Sequence, residues 1–284
     1  MDELTRARYE EWKRNRIRKR VIIPGIGALC VLISLILVVV FRIINVEGIE
    51  ESSIEESTVL KSIIKVEYEH EYVLIEDHPI VYLFNSHPHE MIGSTYDNQF
   101  VGDMSIVELT HILANFLEFH GIATLIEDRC VDARLRENNW EFYMSYYAAR
   151  YYLVDAMQRY PNMEFFVDLH RDGIPHEYAT VEINGANYAR ILFVIGTDNP
   201  YYEASREVAR QLDEMLEERK PGISRSIFYS GDSPGRDGVY SQDLSPMVQL
   251  IEIGTITSTV EEVSRSVEIL AEVLAEYILS LNGE

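Results

Sequence analysis

Ile80-Val81-Tyr82-Leu83-Phe84-Asn85-Ser86-His87-Pro88-His89-Glu90 is an apolar run that ends in a knot of metal-ligand side chains. Five apolar residues followed by a Pro-containing polar stretch read as a buried strand and the loop after it. Two later runs end in the same manner. Phe165-Phe166-Val167 leads into Asp168-Leu169-His170-Arg171-Asp172, and Val248-Gln249-Leu250-Ile251 leads into Glu252-Ile253-Gly254. In an open α/β sheet, functional groups gather outside the carboxyl ends of the strands, so three distant segments can meet at one place. The pattern is that of a metal-dependent hydrolase.

Between these runs the periodicity alternates. Ile80 to Asn85 reads as strand, Ser105 to His120 as helix, Ile122 to Glu127 as strand, and a further helix ends before Pro161. Ser105 with Glu108 is a capping-box signature; Ile106, Leu109, Leu113, Phe116 and Leu117 form the apolar stripe, and Gly121 is a natural stop. Thr259 with Glu262 opens the last helix similarly, with Val260, Val263, Val267, Leu270, Val273 and Leu274 at helical spacing. Alternation of this kind predicts an α/β domain with a mostly parallel sheet covered by helices on both faces, over residues 71–284.

The segment before the domain has its own chemistry. Residues 21–41 contain no charged side chain and are long enough to span a bilayer as a helix. The basic cluster in residues 1–20, including Lys13, Arg14, Arg16, Arg18, Lys19 and Arg20, would stay cytoplasmic and place the rest outside. A cleaved signal peptide is the competing reading, although its basic end would be long and no small-x-small pattern follows Phe41. Residues 42–70, with Glu50, Glu51, Glu55 and Glu56 among Ser and Thr, read as an acidic stalk. The formal charge of −22 argues against nucleic acid as a partner. Cys30 falls within the apolar segment and Cys130 beyond it, so no disulfide is expected within the domain.

Zinc accepts imidazole nitrogen and carboxylate oxygen, and catalytic sites commonly use three protein ligands. His87, Glu90 and His170 supply such a set, Glu90 being the least fixed because a carboxylate from another loop can replace it. Glu252, at the end of a central strand, suits the general base that takes a proton from water and returns it to a leaving nitrogen. Asp168 and Asp172 either orient the second imidazole or serve a turn. His89 reads as a loop residue beside the site, and Arg171 as a carboxylate fork or a partner of Asp172. His111 and His120 read as helix-surface and capping residues. The run Tyr143, Tyr146, Tyr147, Tyr151 and Tyr152 has helical spacing and reads as packing against the sheet in preference to sugar stacking.

Ser145-Tyr146, Asp168 to Asp172, Asn187-Tyr188-Ala189-Arg190, Phe193 to Pro200, Gln242 to Pro246 and Leu250 to Gly254 together resemble the stage II sporulation protein P family. The resemblance covers residues 80–280. It implies a fold related to the N-acetylmuramoyl-L-alanine amidases and a membrane-anchored zinc enzyme. The implied activity is peptidoglycan hydrolysis during engulfment, on the muramoyl amide bond and also on peptide cross-links. The implied partners are the stage II sporulation proteins D and M. The family's first motif resembles His-Thr-His-Thr-Thr-Glu; here Asn85 stands at its first His, and Pro88 and His89 at its second and third Thr, while His87 and Glu90 keep the second His and the Glu. A zinc carboxypeptidase acting on wall peptides is the enzymatic alternative, and a catalytically silent wall- or partner-binding anchor the non-enzymatic one.

Overall fold

The computed structural model describes residues 81–96, 99–231, 233 and 236–281. The candidate membrane segment 21–41 and the stalk 42–70 lie outside them. Among the described residues no helix is long and apolar enough to cross a membrane.

The chain forms a mixed α/β fold. β1 (Val81–Phe84) leads through a short loop into a hairpin of β2 (Met91–Tyr96) and β3 (Gln99–Ser105), then α1 (Ile106–Phe119) and β4 (Thr124–Ile126). Two helices follow, α2 (Val131–Asn138) and, after a 3-10 turn at Phe142–Met144, α3 (Ser145–Arg159). β5 (Phe165–Asp172) is followed by a four-residue α4 (His176–Ala179) and a second hairpin, β6 (Thr180–Ile183) with β7 (Ala186–Ala189). The remainder is β8 (Ile191–Gly196), α5 (Tyr202–Arg219), β9 (Ser224–Ser230), β10 (Val248–Thr255) and α6 (Val260–Leu281).

Six of these strands make the central sheet, in the order β4-β1-β5-β10-β8-β9. All neighbours are parallel except β10 and β8, so β8 and β9 run against the other four. The ends of β1, β5 and β10 therefore point the same way, and the start of β8 comes to lie beside them. Both expected capping boxes are present. The Glu108 N–H donates to Ser105 Oγ at 3.1 Å, and the Glu262 N–H donates to Thr259 Oγ1 at 3.2 Å.

Alternation along the strands sends their side chains into two layers. On one face Val81, Leu83, Phe165, Val167, Leu169, Phe193, Ile251 and Ile253 pack with α1, α5 and α6 in a continuous core. Each large apolar side chain buried there contributes about 1.5–3 kcal/mol. On the other face Tyr82, Phe84, Phe166 and Val248 pack with Val131, Leu135, Ala148, Ala149, Leu153 and Ala156 of α2 and α3. Farther across that face, over β8 and β10, the cover is Tyr240 of the segment before β10, against Leu192, Val194 and Leu250.

Candidate metal centre

The site lies on the α2–α3 side of the sheet, at the carboxyl ends of β1, β5 and β10. Strand register puts it there. Phe166 is aligned with Val248, Asp168 with Leu250 and His170 with Glu252, all on one face. The face begins apolar at the bottom of the strands and becomes polar where they end.

The loop after β1 closes on itself, the Glu90 N–H donating to the His87 carbonyl at 3.1 Å. This turn brings two side chains three residues apart to the same side: His87 Nδ1 is 3.4 Å from Glu90 Oε1. From β5, His170 Nδ1 is 3.4 Å from Glu90 Oε2, and the Arg171 N–H donates to that same oxygen at 3.0 Å. The ligand atoms of His87, Glu90 and His170 all lie within 4.8 Å of one another.

His170 is held from behind. Its Nε2 is 3.0 Å from Asp168 Oδ1 and 2.9 Å from Ser86 Oγ, and the Ser86 N–H donates to the same Asp168 oxygen at 2.8 Å. A carboxylate on the far nitrogen of a ligating imidazole fixes the ring and raises its basicity. Burial lowers the His170 pKa, but the Asp168 and Glu90 carboxylates outweigh it and hold the ring up at about 10. Burial likewise pushes the Glu90 carboxyl up, yet hydrogen bonding by His170 and His87 keeps it well below the usual carboxylate range. The pocket thus favours positive charge between Glu90 and Asp168.

Glu252 stands beside this group as the strand neighbour of His170. Burial, reinforced by the charge of Asp172 and a hydrogen bond to it, pushes its carboxyl up to about 7. Asp172 in turn is 2.7 Å from Arg225 Nη1, which reaches over from β9. Two residues beyond Glu252, Gly254 has φ +63°, and a Cβ there would stand 2.5 Å from Ser258 Oγ and 3.1 Å from Ala189 Cβ. Glycine is therefore required at this register shift near the end of β10.

The aromatic wall is formed by Phe142 and Tyr146, whose ring centroids lie 5.1 and 4.8 Å from that of His87. Burial first, and the acidic neighbours after it, push the Tyr146 hydroxyl far above its ordinary range. It remains a neutral donor.

Several sequence expectations change here. Arg171 does not pair with the Asp172 carboxylate; its Nε donates to the Met91 carbonyl at 3.2 Å, and Asp172 is taken by Arg225. His89, by contrast, keeps its reading as a loop residue beside the site: it is exposed and pairs with Asp132 of α2, outside the donor cluster. Tyr152 is buried as packing requires, but Tyr143, Tyr147 and Tyr151 are exposed. Asn85, at the family pattern's first His, shares the odd register of Val81 and Leu83 and faces α1. Its Nδ2 donates to the Leu169 carbonyl at 2.7 Å and lies 2.9 Å from Thr110 Oγ1. The Asn85 departure therefore falls on the opposite side of the strand from the donors, whereas Pro88 and His89 lie within the loop between His87 and Glu90. Ser86 and Arg225 were not legible as site residues, because a lone Ser and a lone Arg carry no spacing signal.

The donor set fits zinc. Two imidazoles and a carboxylate are donors that zinc accepts, and with one ligand atom from each residue the three lie within 4.8 Å of one another, convergent enough to surround one ion.

Comparison with known proteins places the chain. The profile of the family described as stage II sporulation protein P matches residues 44–275. Stage II sporulation protein P of Bacillus subtilis is 28% identical over 206 residues, which is 70% of this chain and 51% of that protein. The chain thus spans about half the length of this curated relative. Among solved structures, N-acetylmuramoyl-L-alanine amidase AmiC2 of Nostoc punctiforme superposes with a TM-score of 0.40 at 13% identity, over 72% of this chain and 98% of that one. Cwp6 from Clostridium difficile gives 0.41 at 10% identity, over 70% and 29% respectively.

Proposed function

The chain belongs to the stage II sporulation protein P family, and from that premise we propose that it is a zinc-dependent peptidoglycan hydrolase. Its bond is the amide between N-acetylmuramic acid and the first alanine of the stem peptide, with peptide cross-links as a second target. The observation that carries this reading is the meeting of His87, Glu90 and His170 with their ligand atoms within 4.8 Å of one another, and Glu252 on the neighbouring strand.

His87, Glu90 and His170 would hold the ion, and Asp168 with Ser86 would fix the His170 ring. When bound, zinc supplies Lewis-acid polarisation of the scissile carbonyl and activation of water. The remaining work belongs to the chain. Glu252 takes a proton from the attacking water and delivers it to the amide nitrogen, without which an amine does not leave. Its carboxyl, near neutrality by burial, would be drawn down toward the carboxylate form by a cation nearby, which suits a base. Asp172 and Arg225 set its orientation. Tyr146, neutral at any working pH, offers a hydroxyl to the bound substrate.

The same reading puts the catalytic domain outside the cell on an anchor at residues 21–41, working with the stage II sporulation proteins D and M. Muropeptide analysis of sacculi digested by the protein tests the chemistry. Free stem peptides beside intact glycan support the amidase. Release of single C-terminal amino acids would identify a carboxypeptidase, and an unchanged muropeptide profile would leave only the anchor reading.

A further inference from the structure

The tyrosines that spacing assigns to packing are largely not used for it. α3 covers the sheet with Ala148, Ala149, Leu153 and Ala156, together with Tyr152. On its outer side Tyr147 and Tyr151 remain 53% and 51% exposed, and Phe142 and Tyr143 in the preceding turn are 61% and 74% exposed. Contiguous exposed aromatic surface on a soluble domain marks a binding site more often than an accident. We propose that this aromatic stripe is a saccharide-binding rail that stacks the sugar rings of a glycan strand and leads it to the metal centre. The inference rests on the peptidoglycan reading above and names the part of the substrate held outside the reacting bond.

Four observations carry it. Tyr147 and Tyr151 are four residues apart on α3, so they project from one side about 6 Å from each other, and Tyr143 extends the row into the 3-10 turn before the helix, enough for successive rings of a chain. Several of the rings are held in place: Tyr147 meets Trp140 edge to face at 5.1 Å, and the Arg134 guanidinium lies 3.6 Å from the centre of the Tyr151 ring. The stripe is continuous with the site, because Phe142 stacks on His87 at 5.1 Å with 25° between the rings. Its chemistry fits a neutral polyhydroxy ring, whose C–H face lies on the π face while hydroxyls meet the tyrosine hydroxyl. The formal charge of −22 disfavours a nucleic acid strand, the other polymer that stacks on aromatic rings.

A protein partner is the competing occupant, since aromatic residues are also enriched at such interfaces. The test uses the full chain carrying Glu252→Gln, so that nothing is cleaved, and measures its binding to peptide-free glycan strands. Tyr143→Ala combined with Tyr147→Ala should weaken binding by about 100-fold, tenfold or about 1.4 kcal/mol for each ring. Tyr143→Phe with Tyr147→Phe should recover most of it. In the active background the alanine pair should raise KM on long strands and leave kcat in place. Equal binding by wild type and the alanine pair would overturn the rail, as would no binding to sugar alone. The two readings separate cleanly. Strand binding that needs the tyrosines, in a protein that frees no stem peptide, would sink the amidase and keep the rail; cleavage indifferent to the tyrosines would do the reverse.

Discussion

On β5 the odd positions Phe165, Val167 and Leu169 are fully buried in the large core, while the even positions run Phe166, Asp168, His170 toward the site. β10 repeats this, with Ile251 and Ile253 on the core side and Leu250 and Glu252 on the other. The two faces share one backbone and one set of strand ends, yet one is filled with apolar side chains and the other holds buried Asp168 and His170. The core face thus fixes where the strands end, and the opposite face uses that fixed geometry for chemistry. Desolvation is favourable on the first face. On the second it has to be compensated, as Asp168 does for His170 and Arg225 for Asp172.

Substitutions that respect or violate this division test it. The largest effect should come from Glu252→Gln, which removes the base while keeping the shape. Steady-state hydrolysis should fall about 10²–10⁴-fold with zinc content and melting temperature unchanged; a matching loss of metal would make Glu252 a ligand. Phe193→Ala attacks the other face and should cost about 3–5 kcal/mol in chemical denaturation. Its folded fraction should still take up zinc with wild-type affinity. Asp168→Asn should weaken zinc binding about 10–100-fold, as loss of an imidazole-orienting carboxylate does elsewhere. Calorimetric titration with zinc reads this directly, and an unchanged affinity would reduce Asp168 to a strand-end hydrogen-bond partner. Asn85→Ala is the sharpest probe of sidedness. It strands the Leu169 carbonyl and should lower stability by about 1–2 kcal/mol without changing zinc stoichiometry.

Much of this division was legible in the sequence. Three apolar runs with polar ends gave β1, β5 and β10, and the side chains at those ends are the ones that the fold brings together. Capping boxes at Ser105 and Thr259 located two helix starts because they depend only on residues three apart. What was hidden depends on long-range placement. The reversal of β8 against β10 leaves no local mark, because a buried strand reads as the same apolar run in either direction. Asn85 appeared as a gap in a ligand motif until the strand register turned it toward Thr110. The tyrosine stripe of α3 and the turn before it reads alike whether it packs or faces solvent, since tyrosine suits both, and only the fold shows that three alanines with Leu153 and Tyr152 already cover the sheet.

Whether His87, Glu90 and His170 form a zinc site is decided by the zinc content of the purified full chain, compared with that of His87→Ala, Glu90→Ala and His170→Ala. About one zinc per wild-type chain is expected, as three convergent protein ligands require, with loss of that zinc in each variant while the fold persists. A wild-type chain that takes up no zinc, or variants that keep it fully, would contradict this assignment.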